Sequence, residues 1–132
     1  MPPKHAPLRP VLIVEDDALM RVVYKRLFQD HAPELAFHLE ARAEDALKYL
    51  RENGADAAIL DWDLPGISGL DLLKTLRDDS VGRYVRIIVV SGRTGVEDQI
   101  LALESGADDY LSKPFDVQVL IARLRSLLRR WE

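Results

Sequence analysis

Apolar positions along the chain fall into two alternating rhythms. Short apolar runs occur at 11–14 (VLIV), 57–60 (AAIL) and 85–90 (VRIIVV, interrupted only by Arg86), with a weaker one at 109–112 (DYLS). Runs of this length, bounded by Gly, Pro and acidic residues, predict buried strands. A fifth segment, 35–40 (LAFHLE), alternates apolar and polar residues and predicts a strand nearer an edge. Between these runs the apolar spacing changes to three and four. Met20, Val23, Tyr24, Leu27 and Phe28 form a stripe over 19–28, and Ala43, Ala46, Leu47 and Leu50 form one over 43–53. Leu70, Leu73 and Leu76 continue the pattern over 69–77, and Val96, Ile100 and Leu103 over 96–105. The last stripe starts at Val117 and runs through Leu120, Ile121, Leu124, Leu127 and Leu128. Each stripe predicts a helix with one buried face. Gly54 and Gly106 mark stops, Ser68 with Asp71 forms a capping box, and Asp17 reads as an N-cap rather than a metal ligand.

Five strand–helix alternations predict βαβ units. Right-handed crossovers then give an α/β fold with a parallel sheet and helices on both faces. In such sheets ligands bind outside the carboxyl ends of the strands. Residues 1–10 hold four of the seven prolines and lack periodicity. Residues 1–9 are therefore expected to be a flexible arm, and 10–132 a single domain.

Composition narrows the function. The 132 residues can build one real core, and 48% hydrophobic with 30% charged residues is ordinary for a soluble protein. No apolar run is long enough for a membrane span, so neither membrane insertion nor export is expected, and a cytoplasmic location is the default. The absence of cysteine excludes disulfides and thiolate metal sites. A net charge of -4 gives no electrostatic case for direct nucleic-acid binding.

The residues at the strand ends carry the chemistry. Glu15, Asp16 and Asp17 follow 11–14, Asp61 follows 57–60, Ser91 and Gly92 follow 85–90, and Lys113 and Pro114 follow 109–112. All belong to one edge of a parallel sheet. Glu15, Asp16 and Asp61 would repel one another at close range, and a hard divalent cation offsets that repulsion. Oxygen-only ligands suit Mg²⁺. Ser91 and Lys113 then complete a set of groups that can neutralise a phosphoryl group in transit, with Asp61 as the natural nucleophile.

The motifs VLIVEDD, AAILDWDLPGISGLDLL, IIVVSG and GADDYLSKPF together resemble those of the response-regulator receiver domain of two-component signalling. The resemblance runs from about Pro10 to Arg130. It implies a doubly wound, flavodoxin-like (βα)5 fold of strand order 2-1-3-4-5. It also implies phosphoryl transfer to Asp61 from a histidine kinase or phosphotransfer protein. Glu15 and Asp16 match the acidic pair that binds Mg²⁺, and the carbonyl of Asp63 would add a ligand. Ser91 and Lys113 match the conserved hydroxyl and lysine. Tyr110 matches the aromatic switch position, and Lys113–Pro114 the family's cis bond. The implied product is a signalling switch that catalyses only its own phosphorylation and dephosphorylation. Its output passes to a domain in cis or a partner in trans through the face of helix 4, strand 5 and helix 5.

A rival of another class is a haloacid-dehalogenase-type phosphatase, with Asp61 as nucleophile and Asp63 as general acid. It would place the Asp-x-Asp motif on the first strand, an acidic pair after the lysine, and nothing at EDD; the sequence departs on all three points. Asp108 and Asp109 read as turn or surface residues. The arginines at 123, 125, 129 and 130 favour the end of a helix dipole. The histidines at 5, 31 and 38 share no ligand spacing, and Gly92-Arg93-Thr94-Gly95 is too short for a nucleotide phosphate loop. The last stripe reaches Trp131 without a stop signal, so the chain is expected to continue past Glu132. The segment 83–115 bears a loose likeness to receivers that precede diguanylate cyclases. Gln99 and Leu101, where winged-helix relatives carry basic residues, argue against an ion-paired dimer. A phosphorylation-dependent homodimer packed about Leu101, Tyr110 and Trp131 is the corresponding expectation.

Overall fold

The computed structural model describes residues 8–129. Trp131 and all of the expected arm except Leu8 and Arg9 lie outside the described residues. The elements are β1 (Val11–Val14), α1 (Ala18–His31), β2 (Phe37–Glu40), α2 (Ala43–Asn53), β3 (Ala57–Asp61), α3 (Gly69–Asp78), β4 (Arg86–Ser91), α4 (Val96–Glu104), β5 (Asp109–Ser112) and α5 (Val117–Arg129). The strands form one parallel sheet of order β2-β1-β3-β4-β5. This is the expected doubly wound fold.

Alternation along the strands divides the core into two layers. Leu12, Val14, Ala58, Leu60, Ile87 and Val89 face α2, α3 and α4. Val11, Ile13, Ala57, Ile59, Ile88 and Val90 face α1 and α5. The central strands are buried on both faces, which is why their sequences read as continuous apolar runs. β2 lies at the edge, and all four of its residues are half-buried, in keeping with its alternating sequence.

Asp17 caps α1, its carboxylate accepting from the Leu19 amide at 2.9 Å. The Ser68 hydroxyl accepts from the Asp71 amide at 3.1 Å, one arm of the expected capping box. β3 and β4 each run one residue further than the apolar pattern. Asp61 pairs with Val90, and Ser91 with Ser112, inside the ladders. Both site residues are thus held by sheet hydrogen bonds, not by the loops that follow. Arg9, expected in the arm, is fastened: Asp56 accepts from its amide and guanidinium at 2.8 Å.

Asp108 and Asp109 correct the sequence expectation, since neither is a free surface acid. Asp108 accepts from Arg77 at 3.0 Å and from the Ile87 amide at 2.8 Å. Asp109 pairs with Arg123 on α5 at 2.9 Å. Arg125 also has a specific partner, Glu34, at 3.0 Å. These arginines serve side-chain pairs rather than only the helix dipole.

Candidate phosphoryl-acceptor and metal site

The acid residues meet at the carboxyl edge of the sheet. Glu15 leaves β1, Asp61 ends β3, and both are buried at 1% and 3% exposure, while Asp16 is exposed. Their carboxylates each present an oxygen within 4.8 Å of the others. Lys113, just past β5, enters from the side. Its Nζ lies 2.8 Å from Asp61 Oδ2 and 3.3 Å from Glu15 Oε1. The Asp63 amide donates to Asp61 Oδ1 at 3.0 Å, so both oxygens of Asp61 are oriented. The Lys113–Pro114 peptide bond is cis, as expected.

Close packing makes this arrangement possible. A Cβ on Gly69 would sit 1.9 Å from the Asp61 carbonyl oxygen, so only glycine lets α3 start this close to the end of β3. On the other side, Arg21 donates to the carbonyls of Glu15 and Asp16 at 2.9 and 2.8 Å. That contact pins the acidic turn. No local pattern announces it, because Arg21 reads only as a polar position on α1.

The electrostatics are unbalanced. Burial, together with the adjacent Asp61 carboxylate, pushes the Glu15 carboxyl up from 4.5 to about 7; the Asp17 amide and Lys113 oppose this only in part. Burial pulls the Lys113 ammonium down, but hydrogen bonding and charge from Asp61 and Glu15 outweigh it and raise its pKa. One lysine therefore faces three clustered carboxylates. All the available ligands are oxygens, and the cluster carries surplus negative charge. A hard cation such as Mg²⁺ fits that donor set. Glu15, Asp16 and Asp61 would offer carboxylates. The carboxylate of Asp63 does not join them but turns to Arg93 at 3.0 Å, which leaves only its carbonyl for the expected role.

A second group of residues closes the other side of the pocket. Ser91 is fully buried, and its Oγ accepts from the Arg93 amide at 3.0 Å. The Arg93 guanidinium lies 4.8 Å from the Trp62 ring centroid while it pairs with Asp63. Tyr110 is turned inward: it is 5% exposed, its hydroxyl donates to the Arg93 carbonyl at 2.6 Å, and its ring meets Trp62 edge-on. It therefore does not lie on the outer α4–β5–α5 surface where it was expected. Leu101 does, at 42% exposure. His38 is hydrogen-bonded to Glu40 and stacked on Tyr49.

Comparison with known proteins agrees with this geometry. Over 123 residues the chain is 36% identical to the phosphate regulon transcriptional regulatory protein PhoB of Escherichia coli, covering 92% of this chain and 52% of that protein. It is 39% identical over 120 residues to the virulence transcriptional regulatory protein PhoP of Salmonella typhimurium, covering 91% and 52%. The chain spans about half the length of these relatives. Their names specify transcriptional regulation and lend no support to the cyclase expectation. The receiver domain of the Francisella response regulator 1452 matches with a TM-score of 0.86 and 31% identity, covering 94% of this chain and 99% of that one. Residues 11–125 match the model of the response regulator receiver domain, so the phosphatase alternative falls away and the chain belongs to that family.

Proposed function

We propose that the chain is a phosphoacceptor switch in which Asp61 takes a phosphoryl group from the phosphohistidine of a sensor kinase or phosphotransfer protein. The observation that carries this reading is the Asp61 carboxylate. It is buried at the sheet edge, held by Lys113 at 2.8 Å and clustered with Glu15 and Asp16. One Asp61 oxygen attacks phosphorus, the O–P bond forms, the P–N bond breaks, and the imidazole leaves. Bound Mg²⁺ would supply positive charge to the phosphoryl oxygens as this happens. Lys113 supplies a second cation, and Ser91 keeps its own hydroxyl proton to donate to a phosphoryl oxygen. In dephosphorylation water attacks phosphorus, the O–P bond to Asp61 breaks, and the free carboxylate is released with inorganic phosphate, which keeps the proton of the water.

The output is proposed to pass through the β4–α4 loop. If Ser91 turns to the phosphoryl group, its bond to the Arg93 amide is disturbed. Tyr110 holds the carbonyl of the same residue, so the disturbance reaches β5 and α4. α4 suits a contact surface: Val96, Ile100, Leu101 and Leu103 are exposed, and Val119 on α5 adds to them. A protein partner, an output domain or a second copy of the chain would cover these residues. The test is incubation with Mg²⁺ and a small acyl phosphate, followed by intact-mass measurement. One phosphoryl group should be added to the native chain and none to Asp61→Asn. Equal labelling of the two would refute the assignment.

A further inference from the structure

The three carboxylates of the acid cluster are not held alike. Glu15 is buried, and its side chain accepts from Lys113 and from the Asp17 amide, each at 3.3 Å. Asp61 is buried and accepts from Lys113 and from the Asp63 amide. Asp16 is exposed, and among the described residues its carboxylate has no hydrogen-bond or ion-pair partner. Its place within 4.8 Å of the other two is therefore set by its backbone. That backbone is held by one side chain. Nη1 of the half-buried Arg21 donates to the Glu15 carbonyl at 2.9 Å and to the Asp16 carbonyl at 2.8 Å. Successive carbonyls of a strand point to opposite sides, so one donor reaches both only where the chain bends. The Glu15 amide still pairs with the Glu40 carbonyl of β2 at 2.9 Å, and the Asp17 carbonyl already accepts from the Arg21 amide at 3.0 Å in α1. The bend therefore falls at Asp16. Helical side chains lean toward the N-terminus of their helix, which brings the guanidinium of the fourth residue of α1 back to this turn.

We propose that Arg21 is a positioning residue of the acceptor site: its guanidinium clamps the carbonyls of Glu15 and Asp16, and so presents the otherwise unsupported Asp16 carboxylate to a divalent cation. Charge alone would give Arg21 the opposite effect, because a guanidinium beside the cluster repels an incoming cation. Its side-chain bonds go to carbonyls and to no carboxylate, so it leaves the ligand oxygens available. What it supplies is a fixed backbone, and groups that orient ligands from behind govern metal affinity. The inference rests on the reading of the acid cluster as a cation site.

The test is calorimetric titration of the intact chain with Mg²⁺. Arg21→Gln removes the charge and shortens the side chain, and Gln is nearly as good a helix former as Arg, so α1 is kept. It should weaken Mg²⁺ binding about tenfold, the low end of the losses seen when a group behind the ligands is removed. Arg21→Lys keeps a charged donor and should lie between the two. The Mg²⁺ concentration for half-maximal phosphoryl uptake should rise by the same factor as the dissociation constant. Arg77→Ala, at the other end of the sheet, is the control for a merely loosened fold and should bind Mg²⁺ as the native chain does. Native or tighter affinity in Arg21→Gln would overturn the proposal, the tighter case assigning Arg21 only a repulsive charge. An equal loss in Arg77→Ala would also overturn it, since general destabilisation would then suffice. If the native protein itself bound no Mg²⁺, the cation reading would fail, and this inference with it.

Discussion

The two ends of the sheet handle buried charge in opposite ways. At the amino edge Arg77 and Asp56 both have partners of opposite charge. Arg77 donates to the carbonyls of Gly82, Val85 and Gly106 and to Asp108, tying α3, β4 and the α4–β5 turn together. Asp56, also buried there, is held by Arg9. At the carboxyl edge Lys113 pairs with Glu15 and Asp61 in a cluster that also holds Asp16, so three carboxylates gather about one ammonium, and the Ser91 hydroxyl accepts from the Arg93 amide. The fold, the strands and the solvent are common to both ends. The contrast teaches that the carboxyl edge is built to be completed from outside, whereas the amino edge is complete in itself.

The largest effect should come from breaking the self-sufficient end. Arg77→Ala leaves Asp108 half-buried without its cation and several carbonyls without a donor. It should cost about 3 kcal/mol of stability in urea unfolding. Phosphoryl uptake at a temperature where the variant is still folded should be retained, because Arg77 lies at the opposite end of the strands from Asp61. A variant that is as stable as the native chain would contradict the account of this end.

The next effect belongs to the open end. The Glu15 carboxyl titrates at about 7 in the fold against 4.5 as its ordinary value. Between those values the folded protein holds a proton that the unfolded chain has released. Cation-free stability should therefore fall as pH rises from about 4.5 to about 7 and level off above it, by about 2 to 3 kcal/mol in all. Lys113, raised further above its already basic value, stays charged throughout and adds nothing to this window. Glu15→Gln should flatten the slope, and saturating Mg²⁺ should do the same by replacing the proton. Unfolding curves at several pH values, with and without Mg²⁺, check the prediction.

The smallest effect on stability, and the sharpest on kinetics, concerns Arg93 and Asp63. They pair across the pocket mouth at 3.0 Å with both side chains about half exposed. The pair should add well under about 0.5 kcal/mol to the fold. By partly covering the path of the hydrolytic water it should lengthen the phosphorylated state, so Arg93→Ala and Asp63→Ala should each speed dephosphorylation a few-fold. Unchanged decay of the labelled protein in both variants would remove the gate.

The same contrast explains what could be read from the sequence. The open end was legible because its residues follow apolar runs: a carboxylate, hydroxyl or lysine at the end of a buried strand has no local reason to be there. Asp61, Ser91 and Lys113 were found in this way, although the ladders hold the first two more firmly than their place after an apolar run suggested. The closed end was not legible. Arg77 and Asp108 lie 31 positions apart, and an arginine on a helix followed by acids before a strand looks like any solvated pair. Arg21 was missed for the same reason. Tyr24 was read only as a stripe position, since spacing shows that a side chain is buried but not whether its hydroxyl is paired. Tyr110 was located in sequence, but its inward turn depends on the carbonyl of Arg93, which no local pattern announces.

The most direct measurement is the position of the phosphoryl group itself. The protein would be labelled with a small acyl phosphate and Mg²⁺, reduced with borohydride to convert an acyl phosphate to an alcohol, digested and sequenced by mass spectrometry. The account predicts homoserine at position 61 and nowhere else. Reduction at Asp16 or Asp63, or a label on a histidine or serine that borohydride leaves intact, would contradict it.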